Sequence, residues 1–198
     1  MSEIFKPGDR AQLTGPKGKM NTIVLEAGGK LGTHKGDIHH DQIIGIPSGS
    51  VIENRNGDRY LVLKPLLSDY VLSMPRGAQI IYPKDAAQII VEGDIFPGAT
   101  VIEAGVGSGA LSAYLLRAIG DKGELHSFEV REEFAQIAKA NVANFLASEP
   151  KNWNVRIGKL QEELPVALKD HSADRAVLDM LAPWECISAV HAALRPGG

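Results

Sequence analysis

Val101-Ile102-Glu103-Ala104-Gly105-Val106-Gly107-Ser108-Gly109-Ala110-Leu111-Ser112 is an apolar run that ends on a carboxylate and breaks into three alternating glycines. The pattern predicts a strand whose C-terminal end turns tightly into a helix. Glycine at every second position permits positive φ and clears side chains from the path of a ligand approaching the main chain. The helix that follows opens with N–H groups lacking intrahelical partners, which suit a polar or anionic group. Turns of this kind hold nucleotide-type cofactors at the carboxyl ends of parallel strands.

Outward from that loop the chain divides near residue 75. After it, strands and helices alternate: helix from about 85 to 92, strand 100–104, helix from 109, strand 123–129, helix 131–147, strands 153–157 and 174–179, and helix 183–194. Such alternation predicts an α/β domain with a mostly parallel sheet covered by helices. Before residue 75, short β-type runs at 9–14, 21–25 and 60–63 are separated by Gly-Pro, Gly-Gly and the hairpin signal Asn56-Gly57. Residues 1–75 are therefore expected to form a small antiparallel β domain, and residues 76–198 a cofactor-binding domain.

The glycines alone admit two cofactors. Gly105-x-Gly107-x-x-Ala110 satisfies the dinucleotide fingerprint, with Glu129 roughly 20 residues on as the ribose-binding acid. An NAD-dependent oxidoreductase is thus one reading, although no hydride-transfer constellation is evident. Glu103 and the third glycine favour the other. E-x-G-x-G-x-G resembles motif I of class I methyltransferases that use S-adenosyl-L-methionine (SAM), and Leu125-His126-Ser127-Phe128-Glu129 resembles the second, ribose-binding strand end of that Rossmann-like fold.

Composition bounds the rest. The chain has 198 residues, 44% hydrophobic, with no apolar stretch long enough to cross a bilayer. Its N-terminus shows neither a basic leader nor a signal-type apolar core, which sets a cytoplasmic expectation. Cys186 is the sole cysteine, which leaves no intrachain disulfide or multi-cysteine zinc site; it reads as a buried small hydrophobe. His39-His40-Asp41 reads as loop histidines facing solvent or RNA, and no metal is expected. Net charge is −3, divided as +1 over residues 1–75 and −4 over 76–198. A polyanion site would have to be a local patch or be assembled from several subunits. Its candidates are Lys17, Lys19, Lys30, His34, Lys35, His39 and His40, which a solvated loop face explains about as well.

A further strand, Ala176-Val177-Leu178, ends on Asp179, with Pro183 placed as in the first turn of a helix. In a doubly wound sheet that strand end opens into the same crevice as the glycine loop. Asp179 there can act as a base or hydrogen-bond acceptor for a substrate, or it can cap the following helix. Taken in order, Arg76-Gly77-Ala78-Gln79-Ile80-Ile81-Tyr82-Pro83-Lys84-Asp85, the glycine loop, Glu129 and Leu178-Asp179-Met180-Leu181-Ala182-Pro183-Trp184 resemble the bacterial and archaeal tRNA (adenine(58)-N1)-methyltransferases over nearly the whole chain.

The resemblance implies SAM as cofactor and N1 of adenine 58 in the tRNA T-loop as target, with Asp179 as the catalytic residue. It implies cofactor contacts from Glu103, Gly105, Val106, Gly107, Ser108, Gly109, Ala110 and Leu111, the ribose on Glu129, and the adenine beside Lys159 and Leu160. Gln79 and Tyr82 would lie beside the pocket. A homotetramer is implied as well, whose neighbouring β domains would gather Lys17, Lys19, Lys30, Lys35 and Arg76 into a groove. Family members run on past Leu194-Arg195-Pro196-Gly197-Gly198, so the sheet is expected to be truncated and to lack its last strands. Methyl transfer to a protein or small molecule, and a noncatalytic RNA-binding subunit or inactive fragment, are the alternatives.

Overall fold

The computed structural model describes residues 3–34, 36–146 and 148–198, so Lys35 and Ala147 lie outside the described residues. The chain forms two compact units, Met1–Ser73 and Met74–Gly198.

The first unit contains β1 (Arg10–Thr14), β2 (Met20–Val24), β3 (Lys30–Leu31), β4 (Ile38–His39), β5 (Ser50–Glu53), β6 (Arg59–Leu63) and α1 (Leu67–Ser73). Four strands make an antiparallel sheet in the order β2-β1-β6-β5, and β3 pairs with β4. Period-two alternation sends Ala11 and Leu13, then Tyr60 and Val62, to one face, where they pack with Phe5, Leu25, Ile38 and Ile43. Asn56-Gly57 does mark a hairpin, but its loop has five residues, organised by the Asn54 carboxamide oxygen, which accepts the N–H groups of Asn56 (3.0 Å) and Asp58 (2.9 Å). His40 departs from the expectation of a solvated or RNA-facing histidine. It is buried in a 3-10 turn, and its Nδ1 accepts the Glu26 N–H at 3.1 Å, while Asp41 accepts the Gly28 N–H. Backbone groups of the 26–29 turn need these acceptors, and that need fixes both side chains.

The second unit contains α2 (Pro83–Glu92), β7 (Thr100–Ala104), α3 (Ala110–Ile119), β8 (Glu124–Glu129), α4 (Glu132–Leu146), β9 (Trp153–Ile157), α5 (Leu160–Ala167), β10 (Arg175–Leu178) and α6 (Ile187–Ala193). Its sheet is wholly parallel, in the order β10-β7-β8-β9, as the alternation predicts. Ile102, Phe128, Leu160, Leu164, Cys186 and Val190 share one core cluster, which gives Cys186 the buried apolar role expected of it. The helix expected over 183–194 divides into a 3-10 turn, Pro183–Cys186, followed by α6. Among the described residues no helix is long and apolar enough to cross a membrane.

Candidate active site

Register places the site. Leu178 lies beside Ala104, and Ala104 beside Phe128, so the next residues, Asp179, Gly105 and Glu129, stand side by side at the carboxyl end of the sheet. The Asp179 N–H still donates to the Ala104 carbonyl (2.8 Å), and the Gly105 N–H to Phe128 (3.2 Å). Strand order reverses between β10 and β7, so the loops leaving these two strands diverge and open a crevice between them.

Gly105, Gly107 and Gly109 all adopt positive φ (87°, 55° and 79°). At Gly105 the need is steric as well, because a Cβ would overlap the Asp179 carbonyl oxygen. The bare loop lets Glu129, 4% exposed, reach beneath it: Oε2 accepts the Gly107 N–H (3.0 Å) and Oε1 the Arg131 N–H (3.1 Å). Each carboxylate oxygen keeps further acceptor capacity.

Two cavities adjoin at Gly105, Glu129, Arg131 and Asp179. The smaller, about 90 Å³, is walled by Gln79, Val106, Gly107, Ser108, Ala110 and Leu111. The larger, about 480 Å³, has an apolar lining of Phe128, Val130, Leu160, Met180 and Leu181, with Lys159 and Gln161 at its border. Asp179 is exposed and borders both. It makes no cap for the turn that follows, whose N-cap is Ala182 in a left-handed conformation (φ 53°) without a side-chain cap.

Glu103 and Gly109 line neither cavity. Glu103 is buried behind the loop, where its carboxylate accepts the hydroxyls of Ser112 (2.8 Å) and Ser127 (2.6 Å); Ser127 in turn accepts the indole N–H of Trp153 (2.8 Å). Burial pushes the Glu103 carboxyl up to about 7; the two serine hydroxyls oppose the rise, and the charges of Asp179 and Glu129 add to it. Gly109 packs against Ala138, where an added Cβ would meet its backbone at 3.0 Å. Ser108 borders the smaller cavity but commits its hydroxyl to residues 77–78, accepting the N–H groups of Gly77 and Ala78 (3.1 and 3.2 Å). Tyr82, half exposed at the start of α2, walls neither cavity.

Sequence reasoning overlooked Arg131 and Asn141. Arg131 borders both cavities, its guanidinium 3.7 Å from the centroid of Phe134 and its Nε 3.6 Å from Glu129 Oε1. Asn141, buried on α4, donates to the carbonyls of Pro75 (2.8 Å) and Ser108 (2.9 Å), and so ties the wall containing Gln79 to the glycine loop. Neither position has a local sequence signal. No group of three metal-ligating side chains occurs among the described residues.

Two family profiles match the chain: TrmI-like N-terminal over residues 4–52, and tRNA methyltransferase complex GCD14 subunit over residues 60–198. The tRNA (adenine(58)-N(1))-methyltransferase TrmI of Thermus thermophilus is 35% identical over 180 residues, which are 91% of this chain and 69% of that protein. A crystal structure of the tRNA (m1A58) methyltransferase TrmI from Aquifex aeolicus aligns with a TM-score of 0.83 at 30% identity, covering 98% of this chain and 73% of that one. A SAM-dependent O-methyltransferase from Thermotoga maritima aligns with a TM-score of 0.89 at 33% identity, covering 98% and 71%.

Proposed function

The chain belongs to the tRNA methyltransferase family of the GCD14 subunit and TrmI, and on that footing we propose that it methylates N1 of adenine 58 in tRNA with SAM as methyl donor. The observation that carries this reading is Asp179, which borders both the cavity beneath the glycine loop and the larger nucleoside-sized one. A lining of apolar side chains with a few placed polar groups, in a volume of about 480 Å³, suits a nucleoside cofactor.

The residues present fit SAM. Glu129 offers two carboxylate oxygens to the hydroxyls of a ribose. The apolar walls from Phe128, Val130, Leu160 and Met180 accept a purine ring, and the bare loop at Gly105 and Gly107 admits the amino-acid end. Val106, Ala110, Leu111 and Gln79 enclose that end, and Lys159 borders the purine. Glu103 and Gly109 act behind the loop, holding it in shape. When bound, the cofactor supplies a methyl group activated on a positively charged sulfur.

N1 of adenine lies on its pairing edge, so the base must be unpaired and turned out of the tRNA fold before it reaches the site. Asp179 accepts a hydrogen bond from the exocyclic amine and orients the ring so that the N1 lone pair faces the methyl group. Methylation at N1 makes that amine acidic, and Asp179 takes up the proton. Asp179→Ala is therefore expected to bind S-adenosylhomocysteine with unchanged affinity and to lose nearly all turnover. Incorporation of labelled methyl into tRNA, with the modified nucleoside identified after digestion, measures this. Undiminished 1-methyladenosine formation removes Asp179 from the mechanism, and label found in protein instead of RNA supports the alternative substrate class.

The finer parts of this reading concern setting and assembly. We assign residues 1–75 to substrate recognition and 76–198 to cofactor binding, in a cytoplasmic homotetramer. The modest net charge of −3 supports assembly, because the basic residues of a single chain are few and scattered. Lys30 contributes little to a composite groove, since it is paired with Asp37 at 2.9 Å.

A further inference from the structure

The first unit holds a cavity of about 280 Å³ between its β1–β2 and β3–β4 turns. We infer that it is a second RNA-contact site, which takes one backbone phosphate and the nucleoside attached to it; the inference rests on tRNA being the substrate.

Both turns are held by their own hydrogen bonds. Gly15 N–H donates to the Lys19 carbonyl (2.9 Å) and Gly18 N–H to Gly15 (3.1 Å), while the Thr33 hydroxyl donates to the Gly36 carbonyl (2.6 Å). Tyr60, 4% exposed, forms the floor. The first turn sits directly on its ring, since a Cβ at Gly15 would stand 2.5 Å from Tyr60 Cε1. Lys17 is held in the left-handed region (φ 64°), a conformation that costs a non-glycine residue about 1 kcal/mol or more and that fixes where its side chain leaves the turn.

The chemistry of the lining selects the ligand. Lys17, Lys19, Asn21, Thr33, His34 and Tyr60 surround the space, and among the described residues no carboxylate does. Among the described residues neither Lys17 nor Lys19 forms a salt bridge, whereas Lys30 and Lys64 are each paired with aspartate at 2.9 Å. Two ammonium groups outside any salt bridge, beside amide and imidazole groups, favour an anion. The volume, about 280 Å³, exceeds what a bare phosphate fills and leaves room beside it for the attached sugar and base. A phosphate with its nucleoside meets both requirements. Attachment to a polynucleotide, in place of a free nucleotide, fits a cavity open at the tips of two surface turns, where a chain can enter and leave.

The test compares the full chain with Lys17→Gln/Lys19→Gln and with His34→Ala, all at exposed positions outside the buried core. A matched charge removal elsewhere, Lys122→Gln/Lys151→Gln, is the control. For the lysine pair, KM for tRNA is expected to rise about tenfold while kcat and S-adenosylhomocysteine affinity hold, and the slope of log affinity against log salt is expected to fall by roughly 0.7–0.9, the share of the one phosphate both ammonium groups face. His34→Ala should raise KM without changing the slope. In NMR titrations of the unmodified chain, a short single-stranded RNA should shift the Thr33 and Tyr60 resonances at lower concentration than AMP, and AMP at lower concentration than inorganic phosphate. An unaltered KM and salt slope in the lysine pair overturns the site while leaving tRNA methylation standing. So does AMP binding as tightly as RNA, which marks a free-nucleotide site. Failure of the unmodified chain to methylate tRNA overturns the functional reading beneath it.

Discussion

A carboxyl group buried as deeply as Glu103 must find donors or keep its proton. Ser112 and Ser127 supply two donors, yet burial still pushes the group up from its usual 4.5 to about 7. Below pH 4.5 the group is protonated in both folded and unfolded chains. Between 4.5 and 7 the unfolded chain releases a proton that the fold retains, so stability present at low pH is lost as pH rises through about 7. At about 1.4 kcal/mol per pH unit this amounts to on the order of 3 kcal/mol. Glu103→Gln keeps the serine hydrogen bonds and should abolish that part of the dependence; denaturant unfolding at pH 5 and pH 8 measures it, and identical pH dependence in both proteins defeats the argument. Gly105→Ala is expected to displace Asp179, because the added methyl overlaps its carbonyl oxygen at a backbone φ of 87°. Turnover should fall with only modest loss of stability, read by methyl transfer alongside thermal unfolding. Gly105, Glu129 and Asp179 were legible in the sequence because each ends a strand or begins its loop. Glu103 looks equally like a strand-end acid there. Its side chain turns inward because it is still within β7, beside Ser127 in the register, and pleating gives it the face packed under α3.

Elements were legible where one period ran uninterrupted. Four strands of the parallel sheet and the helices α2, α3 and α4 fall where alternation predicts them, because each is a continuous apolar or amphipathic run. α5 was overlooked because Pro165 stands inside it; the ring removes one helical hydrogen bond, and Leu160 and Leu164, one turn apart and buried against Phe128, compensate through packing. α1, seven residues long, is too short for periodicity to declare itself. Contacts between distant elements left no trace at all, as Asn141 shows. It is separated by 66 residues from Pro75 and by 33 from Ser108, and bonds both. Asn141→Leu strands the buried Ser108 carbonyl and removes the part-buried bond to Pro75, a loss of about 1–3 kcal/mol. Cofactor affinity should drop with it, since the wall containing Gln79 loses its tie to the glycine loop. Thermal unfolding and titration with S-adenosylhomocysteine report the two effects, and a destabilised variant with full affinity would show that the wall holds its place without the tie.

At the scale of the whole molecule, each unit carries a core of its own: Phe5, Leu13, Leu25 and Val62 in one, Ile102, Phe128, Leu164 and Val190 in the other. The candidate cofactor cavities are lined by residues of the second unit alone. Ligand binding stabilises what it touches by mass action, about 2.7 kcal/mol at a hundred times Kd, and slows exchange of amides whose opening requires ligand release. Hydrogen exchange with S-adenosylhomocysteine should therefore slow at residues 77–81, 104–111, 129–131, 158–161 and 178–182. Residues 10–63 should exchange as before. Adding tRNA in the presence of that ligand should then slow exchange at the turns near residues 15–19 and 32–34, the cavity that collects Lys17 and Lys19. The two steps separate cofactor from RNA by position in the chain. Protection of the β1–β2 turn by S-adenosylhomocysteine alone would contradict that separation, because it would require the nucleoside cofactor to occupy, or to act through, a unit whose cavity is lined by cations and has no ribose-binding carboxylate.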